Sequence, residues 1–244
     1  MKENAAQNIL LNRTKIKIIE AAEKLFSEKG FDNVSTREIA REAGQKNHSA
    51  MHYHFGSMDQ LVKAIFDYRM IPVDELRKSL FEEELKKTDN LELRDLIYIL
   101  IAPVVEVSLD KKRENYFLKI LAQFLSRTEW RAQYLLHENR LPNTANIGRL
   151  IYKKLSLSQG ERIAFERLKM MGATVLITVA EWNFASQDES FEKDRNSITL
   201  FKKNNTEIPL SNEEKIQNLL DFLMGAITET SSIKSNMKPR LKKA

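Results

Sequence analysis

Apolar residues recur at intervals of three and four along almost the whole 244-residue chain, and only seven glycines and five prolines interrupt them. A half-buried strand would alternate with a period of two, so this spacing specifies helices packed on helices. Start signals sharpen the reading. Ser-x-x-Glu or Ser-x-x-Gln precedes an apolar run at Ser35 with Glu38, Ser57 with Gln60, Ser158 with Glu161 and Ser211 with Glu214. In this capping box the hydroxyl accepts from the third helical N–H while the acid or amide reaches back, and Val34 with Ile39 adds a hydrophobic staple at the first of them. The fold class is all-α.

The periodicity predicts helices over about 14–29, closed by Gly30, over 36–43, closed by Gly44, over 47–54, and from Ser57 to a stop at Pro72. Longer helices follow over about 73–87, 91–110, 114–137, 143–156, 159–186 and 212–231. Residues 186–212 are polar and aperiodic, which predicts a long exposed loop. The end, 233–244, is basic without an acid and is expected to be a disordered tail. Short helices give way to long ones with thick apolar faces at Ile71-Pro72, which sets two domains, 13–71 and 72–232.

Composition removes several function classes. With no cysteine there is no disulfide, thiolate metal site or cysteine nucleophile. The N-terminus lacks a signal peptide's apolar core and cleavage site, and the apolar run "LIYILIAPVVEV" is broken by Pro103 and Glu106 and too short to span a bilayer. A cytoplasmic protein with no membrane partner is expected. A net charge of +5 and a pI near 9.2 suit a phosphate-rich partner without requiring one.

Three of the four histidines, His48, His52 and His54, fall within "GQKNHSAMHYHFGS". On a helix His48 and His52 share neighbouring turns, while His54 lies about 200° round the axis from His52. No acid stands between Glu42 and Asp59 to complete a shell of three or four ligands, so neither metal nor cofactor is expected. No carboxylate or nucleophile is placed to work with a histidine either, so no catalytic residue is assigned and the chain does not read as an enzyme. Met51 and Phe55, one turn apart, face inward. Ser49 and Tyr53 then face outward, with Ala50 and His52 on the flanks and Lys46 and Asn47 at the tip. Such a face suits base edges and phosphates. Two short helices joined by a glycine turn form a helix-turn-helix, whose second helix enters the major groove of double-stranded DNA.

Residues 13–62, with "IIEAAEKLFSEKGF", "STREIAREAG" and "YHFGS" followed by "LV", resemble the DNA-binding domain of the TetR/AcrR family of bacterial transcriptional regulators. The resemblance implies that Thr36 and Arg37 hold phosphate at the positive start of the second helix. It also implies that Ser49, Ala50, His52, Tyr53 and His54 approach DNA, with Lys46, Asn47 and His48 at the helix tip completing the set. One departure stands out: ten residues separate Gly44 from Phe55 where the common family pattern has nine, and His52 replaces the usual aromatic.

The resemblance further implies a C-terminal helical domain that dimerises and binds a small-molecule effector, and thus a repressor released from a palindromic operator. A helix-turn-helix protein without an effector is the alternative, although the large second domain would then have no task. Leu168, Met171, Val175, Val179 and Trp182 form one stripe, and Ile216, Leu219, Leu220, Leu223 and Ile227 another. With small Gly172, Ala173 and Gly225, these would build a homodimer through the last two long helices, unless the stripes are core within one chain. Phe117, Leu121 and Phe124 make a third stripe near Trp130 and His137. From it Phe124 and His137 are the ligand-binding candidates, against the plainer alternative that such stripes are core.

Overall fold

The computed structural model describes residues 2–47, 49–88, 90–108, 116–118, 120–121, 140–187 and 210–229, with the side chains of 2–12, 108 and 183–187 excepted. Among these residues every regular element is helical. The helices are α1 (Lys2–Lys29), α2 (Thr36–Glu42), α3 (Ala50–Phe55), α4 (Met58–Lys87), α5 (Leu93–Ser108), α6 (Pro142–Gln159), α7 (Glu161–Gln187) and α8 (Asn212–Thr228), with a 3₁₀ turn at Phe31–Asn33.

The first three helices and the start of α4 enclose Ile18, Ala22, Phe26, Ile39, Met51, Leu61, Ile65 and Phe66, all removed from water. Local chemistry sets the boundaries. The N–H of Gly30 donates to the Phe26 carbonyl at 2.9 Å, and Gly30 then turns the chain at φ 79°, a conformation open to glycine at little cost. Ser35 and Glu38 complete their capping box, with the Ser35 hydroxyl accepting from Glu38 N at 3.3 Å and the Glu38 carboxylate accepting from Ser35 N at 2.9 Å. Val34 and Ile39 are both buried beside it. Ser211 and Glu214 form the same box at the start of α8.

Three expectations need correction. The fourth helix does not stop at Pro72: α4 runs without a break from Met58 to Lys87. A proline inside a helix costs about 3 kcal/mol. Here Met70 and Val73 on either side are buried, each contributing about 1.5–3 kcal/mol, which offsets that cost. Polar bonds hold the helix on both sides as well. Arg69 pairs with Glu23 of α1, while Asp74 accepts from the backbone N–H groups of Asn143 and Thr144 and so caps the start of α6. Buried Arg77 donates to the Leu100 carbonyl at 2.9 Å and to the Thr144 hydroxyl at 2.8 Å.

The third helix begins at Ala50 rather than Asn47. The Asn47 side-chain carbonyl accepts from Ser49 N at 2.9 Å, a local turn that competes with helix. Ser158 and Glu161 form no capping box. Ser158 lies in the last turn of α6, its hydroxyl donating to the Leu155 carbonyl at 3.0 Å. Gly160 (φ 80°) closes that helix, and its carbonyl accepts from Ala164 N to begin α7.

The second half of α4 packs with α5 and α6, and α7 and α8 complete the bundle around Leu96, Ile97, Ile99, Ile101 and Val105 of α5. Among the described residues no helix is long and apolar enough to cross a membrane. Most of the helix expected over 114–137, most of the loop over 186–212, and the tail over 233–244 lie outside the described residues.

Candidate nucleic-acid interface

α2 leads into α3 through a tight turn. Gly44 (φ 66°) donates to the Arg41 carbonyl at 3.0 Å, and Gln45 N donates to the Ala40 carbonyl at 2.8 Å. That turn sets α3 with Met51 fully buried and Phe55 packed against the core. At 100° per residue, Ser49, His52 and Tyr53 then fall within about 100° of one another on the opposite side. All three are exposed, and Tyr53 is 77% exposed. A tyrosine that far in water contributes little to holding the fold.

Ala50 was expected on the flank of this face, but it is 8% exposed and belongs to the core, because the inward side of α3 is wider than Met51 and Phe55 alone define. His54 is half-buried. Its ring stands edge-on to Tyr53 with centroids 5.0 Å apart, bracing the outward tyrosine from behind. Burial, with the Lys15 cation nearby, holds the His54 imidazole below its ordinary pKa and favours the neutral ring. Lys15 is a neighbour that sequence spacing did not reveal, since only the packing of α1 brings it there. His52 has another role: its Nδ1 lies 3.0 Å from the carbonyl oxygen of Gly56, which caps α3.

Arg37, Lys46 and Asn47 are exposed and Thr36 is partly so. Arg37 and Lys46 make no ion pair among the described residues, whereas two nearby lysines are matched. Lys29 pairs with Glu38 at 2.9 Å and Lys24 with Glu42 at 2.7 Å. The Glu38 carboxyl is lowered to about 2, first because it accepts from the Ser35 backbone and then through Lys29 and the Ser35 hydroxyl. The outward face of α3 therefore offers hydroxyl, amide, imidazole and ammonium groups with no carboxylate. His48 lies outside the described residues, as do Phe124 and His137. Among the described residues no three His, Asp or Glu side chains gather as a metal site.

α1 is also tied to α4. Arg69 holds Glu23 through two bonds, Nε to Oε1 at 2.7 Å and Nη2 to Oε2 at 2.5 Å. Burial raises the Glu23 carboxyl above its ordinary value, and Arg69 opposes that shift. A cleft of about 760 Å³ opens beside the pair, with Lys17, Glu20, Glu42 and Tyr116 among its walls. Its charged lining differs from the mostly apolar lining of drug-sized ligand sites.

The two stripes proposed for dimerisation are core of a single protomer. Met171, Val175 and Val179 of α7 and all five residues of the α8 stripe are buried against their own bundle, while Leu168 and Trp182 are partly buried on it. The same helices leave other apolar groups outside: Met170 and Ile177 of α7, more than half exposed, and Phe222 of α8 at 62%, beside exposed Gly225 and Ala226.

Residues 18–65 match the family described as bacterial regulatory proteins, tetR family. No curated protein matches the chain. Among solved structures it is similar to a TetR-like transcriptional regulator from Rhodococcus sp. RHA1, with 15% identity, a TM-score of 0.54, and coverage of 88% of this chain and 97% of that one. It is also similar to the fatty acid degradation regulator FadR of Bacillus halodurans, at 13% identity and TM-score 0.51, covering 88% and 96%. Mycobacterium smegmatis AmtR gives 15% identity and TM-score 0.50, covering 88% and 86%. At these identities the likeness is one of fold.

Proposed function

We propose, on the premise that this chain is a DNA-binding transcriptional regulator of the TetR family, that two copies grip a palindromic operator and release it when a small molecule binds the C-terminal helical domain. Tyr53 carries the assignment of the reading face. It is a large side chain held in water at the tip of a helix, braced by His54 and flanked by Ser49, His52 and Lys46 with no acid among them. Arg37 and Lys46 supply phosphate contacts, which position the protein, and Ser49, His52 and Tyr53 supply contacts to base edges, which specify sequence.

The dimer forms through the outward faces of α7 and α8, where Met170, Ile177 and Phe222 are unpartnered and Gly225 and Ala226 allow close approach. A two-fold axis then sets two α3 helices into successive major grooves, about 34 Å apart or a multiple of that. α4 links the domains. Arg69 joins it to α1 and Asp74 and Arg77 join it to α5 and α6, so a shift in the C-terminal bundle is carried to the reading domain along this helix. Control in this scheme is repression.

Selection of bound duplexes from random DNA tests the reading. Two inverted half-sites are expected, whereas single half-sites would remove the dimeric arrangement. For any effector found, operator and effector must weaken each other by the same factor.

A further inference from the structure

One polar group on the α3 face has its hydrogen-bonding sense set by the fold. The Gly56 carbonyl that His52 Nδ1 approaches at 3.0 Å can only accept, so Nδ1 carries the hydrogen. In the neutral ring Nε2 is then an acceptor and the one ring nitrogen left for a partner. The same bond ties the imidazole to the end of its own helix, because Gly56 N donates back to the His52 carbonyl at 2.9 Å. The ring is thereby oriented before any ligand arrives. Its exposed neighbours differ in sense: Arg37 and Lys46 only donate, and the hydroxyls of Ser49 and Tyr53 can do either.

In the major groove the hydrogen-bond donors are the exocyclic amino groups, N6 of adenine and N4 of cytosine, while guanine and thymine present acceptors. Resting on the reading that α3 enters that groove, we propose that His52 reads one such amino group per half-site, selecting adenine or cytosine over guanine or thymine on the contacted strand. This specificity belongs to the position where the chain departs from the usual family aromatic.

The test starts from the best operator selected by the full-length protein at pH 8. Each adenine is replaced in turn by purine and each cytosine by 2-pyrimidinone, which lack only the exocyclic amino group. At one position per half-site the loss is expected to weaken wild-type binding roughly tenfold or more. The replaced base at that position says whether the amino group is adenine's or cytosine's. His52→Phe is expected to lose sensitivity there and nowhere else, and His52→Lys, which offers only donors, to shift the preferred base to guanine. Binding that falls at no amino-deleted position, or falls equally in His52→Phe, overturns the inference and leaves α3 as the reader. Failure to enrich any sequence overturns the inference together with the reading beneath it. The analogue series on the wild-type protein needs no variant to fold.

Discussion

The tip of α3 and the seam along α4 use similar side chains in opposite states. Along α4, Glu23, Asp74 and Arg77 are buried and Arg69 and Thr144 half-buried, and each charged group has charged or hydrogen-bonding partners. At the tip, Lys46, Ser49 and Tyr53 stand in water, as does Arg37 at the start of α2. Desolvation explains the contrast. A polar group taken from water must be matched inside the protein, whereas one left in water keeps its bonding capacity for a partner that arrives later. The seam is matched within the fold and the tip is left open to water.

The largest expected effect lies in the seam. Arg69→Ala strands the buried Glu23 carboxylate and is expected to cost about 3–5 kcal/mol in a denaturant titration. Burial already raises the folded-state value of Glu23, so folding with the carboxylate charged becomes less favourable as pH rises from the unfolded toward the folded value. Without Arg69 the deficit should be widest near neutral pH and narrow below the ordinary glutamate range. A deficit that did not change with pH would mean that Glu23 is not left charged.

Met51→Ala removes a fully buried side chain behind the tip and is expected to cost about 2–5 kcal/mol. DNA binding should fall with it, because α3 loses its seat. Arg37→Ala should leave stability within about 0.5 kcal/mol. It should flatten the dependence of log affinity on log salt by about two, roughly 0.9 for each of two phosphates per dimer. An unchanged slope would take Arg37 out of the backbone contacts.

The smallest effect is at the α2 cap. Glu38 has a lowered folded value, so its contribution is present above its unfolded value of 4.5 and is lost as pH falls toward about 2. Glu38→Gln should flatten acid unfolding across that window, and an unaltered acid profile would mean that the Ser35 and Lys29 contacts do not persist in solution.

The geometry of the α2–α3 tip was largely legible in the sequence because its determinants are local. Gly30, Gly44, the Ser35–Glu38 box and the Met51–Phe55 spacing all act within one or two turns. The seam was not legible. The continuity of α4 through Pro72 depends on Glu23, Leu100 and Thr144, which only the folded chain brings together. Ser158 met the capping pattern yet sits at a helix end, since spacing alone does not distinguish a cap from a last turn. The stripes on α7 and α8 illustrate a further limit. Periodicity says that a face is buried, but not whether the covering chain is its own.

The division between tip and seam is tested most directly by Tyr53→Ala, followed by thermal melting and by affinity for the operator that the wild-type protein selects. The account predicts a melting temperature within about 2 °C of wild type, because a surface substitution away from the core changes stability by no more than about 0.5 kcal/mol. It predicts an affinity weaker by roughly tenfold to a hundredfold, the range for losing a specific base contact. A variant that melts several degrees lower while binding the operator as tightly as wild type would contradict it.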